Sequence, residues 1–141
     1  MRQTISFLTL GVRDLAASRA FYRALGWQES AYSQAAIAFF DVGGLVFGLF
    51  ERKALAEDAH VAADGSGFAG FTLAHNVESE QAVLRTLDEA VAAGATLVRP
   101  ADKVAWGGYR GYFADPDGFL WEVCHNPHVV LDADGHVRLP G

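Results

Sequence analysis

The 141-residue chain has one cysteine, Cys124, so no internal disulfide can form and a reducing compartment fits. It has no cluster of Lys and Arg, and a net charge of −6 argues against a nucleic-acid partner. Its apolar runs fall far short of the ~20 residues that a membrane helix requires. No charged start leads into a long apolar stretch after Met1, so neither a membrane span nor a secretory signal is predicted. These shortages make a cytoplasmic protein the expectation. Charge is also sparse, at 20%, against 51% apolar residues, which excludes general disorder and supplies enough material for one substantial core.

What is present is ordered as two similar halves. Residues 6–12 form an apolar run of strand length. Asp14 then offers a helix N-cap, and Leu15, Ser18, Phe21, Tyr22 and Leu25 recur at helical spacing before Gly26. Strands are predicted over 27–32, 35–41 and 45–50, the last after the Gly43-Gly44 turn. The polar, alanine-rich stretch 52–66 reads as a linker with a helical turn at 54–58. The plan then repeats, with a strand over 68–77 and an amphipathic helix over 78–93 that Gly94 stops. Strands follow at 96–98, 109–114 and 119–125. Asp115-Pro116-Asp117-Gly118 makes a strong turn before the last of them. The tail, 127–141, carries Asp132-Ala133-Asp134-Gly135 between short apolar runs and suggests a small hairpin.

The halves, about 1–51 and 67–126, can be laid on one another. Val12 matches Val77, and Gly44 to Gly48 match Gly118 to Glu122. Strand alternation then sets Leu8 and Leu10 with Leu73 and His75 on the helix side. Phe7, Thr9 and Gly11 fall with Thr72, Ala74 and Asn76 on the opposite face.

A duplicated unit closed by Gly111-Tyr112-Phe113-Ala114-Asp115-Pro116-Asp117-Gly118 and Phe119-Leu120-Trp121-Glu122-Val123 resembles the vicinal oxygen chelate (VOC) superfamily. That group includes glyoxalase I, bleomycin-resistance proteins, fosfomycin-resistance enzymes and extradiol dioxygenases. The opening motif, from Leu10-Gly11-Val12-Arg13-Asp14-Leu15 through Phe21-Tyr22 to Leu25-Gly26, agrees, as does Ala93-Gly94-Ala95. The resemblance implies an α+β domain of two βαβββ modules whose curved mixed sheets enclose a cleft. It also implies a small-molecule ligand and a homodimer. In metal-using members the first and last strands of each half supply ligands. Those positions fall here on Phe7 and Thr72, and on Gly48 and Glu122. Glu122 alone is a strong donor, and one carboxylate does not hold a catalytic metal. No metal and no cofactor is therefore expected.

Glu122 interrupts an apolar strand, on the face shared by Leu120 and Cys124. It reads either as a hydrogen-bond acceptor or general base in a ligand cavity, or as an inherited carboxylate paired with a cation such as Arg110. His75, His125 and His128 read as structural or surface residues. Cys124 reads as a small core residue, since no activating partner is obvious. The loop Ala105-Trp106-Gly107-Gly108-Tyr109-Arg110 combines aromatics with a cation suited to a planar ligand, whereas Phe47 and Trp121 read as core. The expected ligand-binding set is Phe7, Thr9, Gly48, Phe50, Thr72, Trp106, Tyr109, Arg110, Glu122 and Cys124. The expected function is metal-independent binding of a small hydrophobic or aromatic molecule, as in drug sequestration and antibiotic resistance. The alternatives are a lyase, isomerase or dioxygenase-type enzyme using Glu122 as base or residual ligand, and a plain scaffold.

Overall fold

The computed structural model describes residues 1, 3 and 5–139. Positions 2, 4, 140 and 141, which belong to the expected first module and tail, lie outside the described residues. The chain divides into two compact units, Met1–Gly67 and Phe68–Gly141, and each is described by itself.

The first unit contains β1 (Phe7–Val12), α1 (Leu15–Ala24), β2 (Ile37–Asp41), β3 (Val46–Glu51) and α2 (Arg52–Asp58). Its sheet runs β1-β3-β2, with β1 parallel and β2 antiparallel to β3. Helix α1 starts where the Asp14 carboxylate accepts the Ala17 N–H at 3.0 Å, satisfying one donor that the helix leaves free. It buries Ser18, Phe21 and Tyr22. The Tyr22 ring meets those of Trp27 and Phe47 at centroid distances of 5.2 and 5.0 Å, and Phe40 closes the cluster. Burying each such side chain contributes roughly 1.5–3 kcal/mol.

The strand expected over 27–32 does not form. Trp27 turns into the aromatic cluster, and the chain beyond it is tied down by side chains. Arg19 donates to the carbonyls of Gln34 and Ile37, and the Ser33 hydroxyl accepts the Phe39 N–H at 2.9 Å. One backbone bond, Ser30 N–H to Phe39 O at 2.8 Å, stands in for a ladder.

The second unit contains β4 (Leu73–Asn76), α3 (Glu80–Ala92), β5 (Thr96–Lys103), β6 (Tyr109–Ala114), β7 (Leu120–His125) and a tail hairpin of β8 (Val130–Leu131) and β9 (Val137–Arg138). The main sheet runs β4-β7-β6-β5, with β4 parallel to β7 and the other pairs antiparallel. The expected strand over 68–77 is shortened to β4, because Gly70 adopts φ +84°, which bends the chain out of extended conformation. Ser79 caps α3 by accepting the Ala82 N–H at 3.1 Å, and Ala82, Val83, Leu87 and Ala90 form its buried face.

Both units pair their first strand in parallel with their last sheet strand, and at equivalent positions. Leu8 lies opposite Phe47 as Leu73 lies opposite Trp121, and Thr9 opposite Gly48 as Ala74 opposite Glu122. The β6–β7 turn is fastened by the buried Asp115, whose Oδ1 accepts the N–H groups of Asp117 and Phe119, both at 2.9 Å.

Candidate functional site

Alternation along the second sheet separates its two faces. On one, Leu87 of α3 packs under Gly111 so closely that an added Cβ would lie 2.6 Å from Leu87 Cδ1. Phe113 and Trp121 share this side, their rings stacked with centroids 6.0 Å apart. The other face carries two rows of paired positions. One row is Asp102, Arg110, Cys124 and Asn76; the other is Arg99, Tyr112, Glu122 and Ala74.

The rows are joined by polar contacts. The Tyr112 hydroxyl donates to Glu122 Oε2 at 2.8 Å. Burial, then the bond to Glu122 and its charge, push the Tyr112 phenol above its ordinary range. The phenol therefore stays a donor at neutral pH and Glu122 accepts. Among the described residues no group donates to Glu122 Oε1, which leaves one carboxylate oxygen for a ligand. Arg110, nearly buried, pairs with Asp102 and lies 6.0 Å from the Tyr112 ring centre. The bond from Arg110 holds the Asp102 carboxyl below its usual range against the opposing effect of desolvation, with help from the Arg110 charge and from the bond and charge of Arg99. Of the two alternatives for Glu122, pairing with Arg110 does not form; the pairs are Arg110–Asp102 and Tyr112–Glu122.

Cys124 is buried beside these groups, and burial followed by repulsion from Glu122 raises its thiol pKa. A thiol so placed stays protonated near neutral pH and is a poor nucleophile. Tyr109, expected among the ligand contacts, falls on the α3 side of β6, opposite in alternation to Arg110. Trp106 is 48% exposed in the β5–β6 loop, its ring folded across Gly108. His128 Nε2 reaches the Trp106 carbonyl at 3.0 Å and pins the loop to the tail. His125 Nδ1 likewise meets the Val77 carbonyl at 3.2 Å, so both histidines are engaged with backbone. A separate pocket of about 220 Å³ lies at the ends of β4 and β7, lined by residues that include Asn76, His125 and Leu131. Glu122 does not line it.

In the first unit, Phe7, Thr9, Gly48 and Phe50 alternate onto one face of the β1-β3-β2 sheet. Phe39, missed by the sequence reading, joins them opposite Gly48, and its ring meets that of Phe7 edge-on at 6.1 Å. Strand parity in 35–41 carried the signal for Phe39. Thr72 is exposed and directly precedes β4.

The donor set does not fit the metal that the superfamily often carries. Phe7 has no donor atom, and a Cβ at Gly48 would already lie 3.1 Å from Thr9 Oγ1. Thr72 offers a neutral hydroxyl, and one Glu122 oxygen is committed to Tyr112. Among the described residues one group of three His, Cys, Asp or Glu side chains converges, Asp132, Asp134 and His136 in the tail hairpin. There Asp132 Oδ1 accepts the N–H groups of Asp134 and His136 at 3.1 and 2.9 Å, a turn that explains the cluster.

Two α+β units with the same parallel first-to-last strand pairing define a duplicated-module protein whose second sheet bears a half-buried carboxylate. Residues 4–123 match the Glyoxalase/Bleomycin resistance protein/Dioxygenase superfamily, and the chain belongs to that family, the VOC superfamily. A glyoxalase-related enzyme from Fulvimarina pelagi is similar over 99% of this chain and 100% of its own, with 40% identity and a TM-score of 0.90. A glyoxalase/bleomycin resistance protein/dioxygenase family enzyme from Burkholderia phytofirmans PsJN shares 27% identity over 85% of this chain and 96% of its own, with a TM-score of 0.77. A lactoylglutathione lyase from Agrobacterium tumefaciens, 21% identical over 89% of this chain and 96% of its own, shares the fold with a TM-score of 0.67. No curated protein matches the chain in sequence.

Proposed function

We propose that this protein binds a small hydrophobic or aromatic organic molecule without a metal, on the sheet face that carries Tyr112 and Glu122. The observation that carries the reading is the half-buried Tyr112–Glu122 pair on the face opposite α3, beside a nearly buried cation, in a chain where Glu122 is the one strong donor among the four metal-ligand positions. Glu122 Oε1 accepts a hydrogen bond from the ligand, Tyr112 fixes the carboxylate, and the exposed Trp106 ring offers an aromatic surface. The apolar Phe7, Phe39 and Phe50 face of the first sheet suits the same class of ligand. Sequestration of such a molecule is the simplest use of this arrangement.

Titration with a panel of aromatic drugs and quinones, followed by tryptophan fluorescence and thermal unfolding, tests this. A ligand at 100 times its Kd stabilises by about 2.7 kcal/mol, which raises Tm by roughly 5–10 °C in a domain of this size. No saturable quenching and no shift across the panel would reject the proposal.

The name of the Fulvimarina pelagi relative, a glyoxalase-related enzyme at 40% identity, favours a second reading. In it Glu122 is a general base for lyase or isomerase chemistry without metal, and the raised Tyr112 phenol steadies the carboxylate.

A further inference from the structure

Arg110 is the least exposed cation on the Glu122-bearing face, with 11% of its side chain accessible. Burying a guanidinium demands a counter-charge. The acidic side chain opposite Tyr112, Glu122, is turned to the phenol instead. The counter-charge comes from Asp102 on the edge strand β5, whose side chain is 51% exposed. Asp102 follows a register shift in the β5–β6 ladder, the kind of irregularity that re-aims a side chain.

Two features make this pair replaceable. First, it is one-pronged: Arg110 Nη1 alone donates, to Asp102 Oδ1, and among the described residues its other guanidinium N–H groups have no protein acceptor. A planar fork with unused donors accepts a carboxylate through two parallel bonds. Second, Asp102 already holds another cation, since Arg99 Nη2 lies 3.3 Å from its Oδ2. Losing Arg110 therefore does not strand Asp102 without a partner, and its exposure keeps it hydrated.

We infer that Asp102 is a built-in stand-in for a ligand carboxylate, occupying an anion subsite at Arg110 that a small aromatic or aliphatic carboxylic acid takes over. This deepens, and rests on, the reading that a small molecule binds the Tyr112–Glu122 face. On binding, the ligand carboxylate engages Arg110 in two-pronged fashion and Asp102 retires to Arg99. The ligand's apolar body lies along Tyr112, and a neutral donor on it reaches Glu122. Asp102 thereby sets specificity, because only an anion able to outcompete it wins the guanidinium, while neutral analogues gain nothing there.

The pair benzoate and benzamide, nearly identical in shape and differing in charge, tests the inference by calorimetric titration of the whole protein. Asp102→Asn removes the competing charge at an exposed position and keeps its shape. Benzoate affinity should rise about fivefold, the scale of an exposed ion pair, while benzamide affinity stays within twofold. Arg110→Lys keeps the charge but not the fork and should weaken the benzoate preference several-fold, with circular dichroism confirming the fold. In the wild type, benzoate should move the Asp102 carboxyl resonance towards its ordinary titration range, and benzamide should not. Benzamide binding with an unchanged benzoate-to-benzamide ratio in Asp102→Asn overturns this inference alone. Binding of neither probe to wild type or variant overturns it too. If the drug and quinone panel is also silent, the reading beneath it falls as well.

Discussion

Tyr112 and Glu122 form a pair that strand counting reaches once the closing pair of the β6–β7 turn is known. Equal steps out from the bonded Asp115–Phe119 pair place Tyr112 opposite Glu122 and Arg110 opposite Cys124, whereas steps from Asp115 and Gly118 would miss by one residue. Asp102 is different. Register shifts between Leu97 and Arg99 and between Arg99 and Asp102 defeat any count along β5, so the true partner of Arg110 emerges only in three dimensions. The sign of the Asp102 shift also follows from that contact. Its folded pKa is depressed, so its pairing stabilises the fold above the unfolded carboxyl pKa and the contribution disappears as pH falls through the folded one. At this scale Glu122→Gln separates binder from enzyme. Under the enzymatic reading the variant loses about 10²–10⁴-fold in turnover of a glyoxalase-type substrate while keeping its fold and ligand affinity. Unchanged turnover in a steady-state assay would remove Glu122 from the chemistry.

Among elements, both long helices and the β6-turn-β7 hairpin agree with local sequence, because caps, amphipathic spacing and a proline-glycine turn all act over a few residues. The segments that differ from expectation do so through contacts distant in sequence. Residues 27–32 have strand-like composition, yet Arg19 on α1 binds the carbonyls of Gln34 and Ile37 and fixes the chain beyond them in another course. Packing of α3 on its sheet makes a sharp demand at Gly111. An added Cβ would meet Leu87 Cδ1 at 2.6 Å and, across the ladder, Arg99 O at 2.9 Å and Ala101 N at 3.0 Å. Leucine can rotate but strand backbone cannot. Gly111→Ala should therefore destabilise the protein by about 1–3 kcal/mol in urea unfolding. A change within ~0.5 kcal/mol would show that β5 yields more easily than its bulged ladder suggests.

For the whole molecule, a net charge of −6 and the absence of any described helix long and apolar enough to cross a membrane shape its interactions. Exposed apolar side chains on α3, Leu84 at 47% and Val91 at 46%, lie seven residues apart on one helical face. They offer an apolar face on which the homodimer expected from the family resemblance can be tested. Sedimentation velocity at micromolar concentration should give a species of twice the chain mass of 15.2 kDa, and a monomer there would count against the homodimer.

The sequence by itself determined the duplicated α+β plan, the family and the unsuitability of Phe7, Gly48 and Thr72 as metal ligands. Those depend on residue identity and on periodicities that operate locally. Tertiary structure decided which charged groups meet. It gave Glu122 a phenol and not a guanidinium, turned Tyr109 to the α3 side, and set Asp102 on Arg110. The physical reason is that an ion pair is selected by side-chain reach across neighbouring strands. A bulged edge strand shifts that reach by a residue without leaving a mark in composition or spacing.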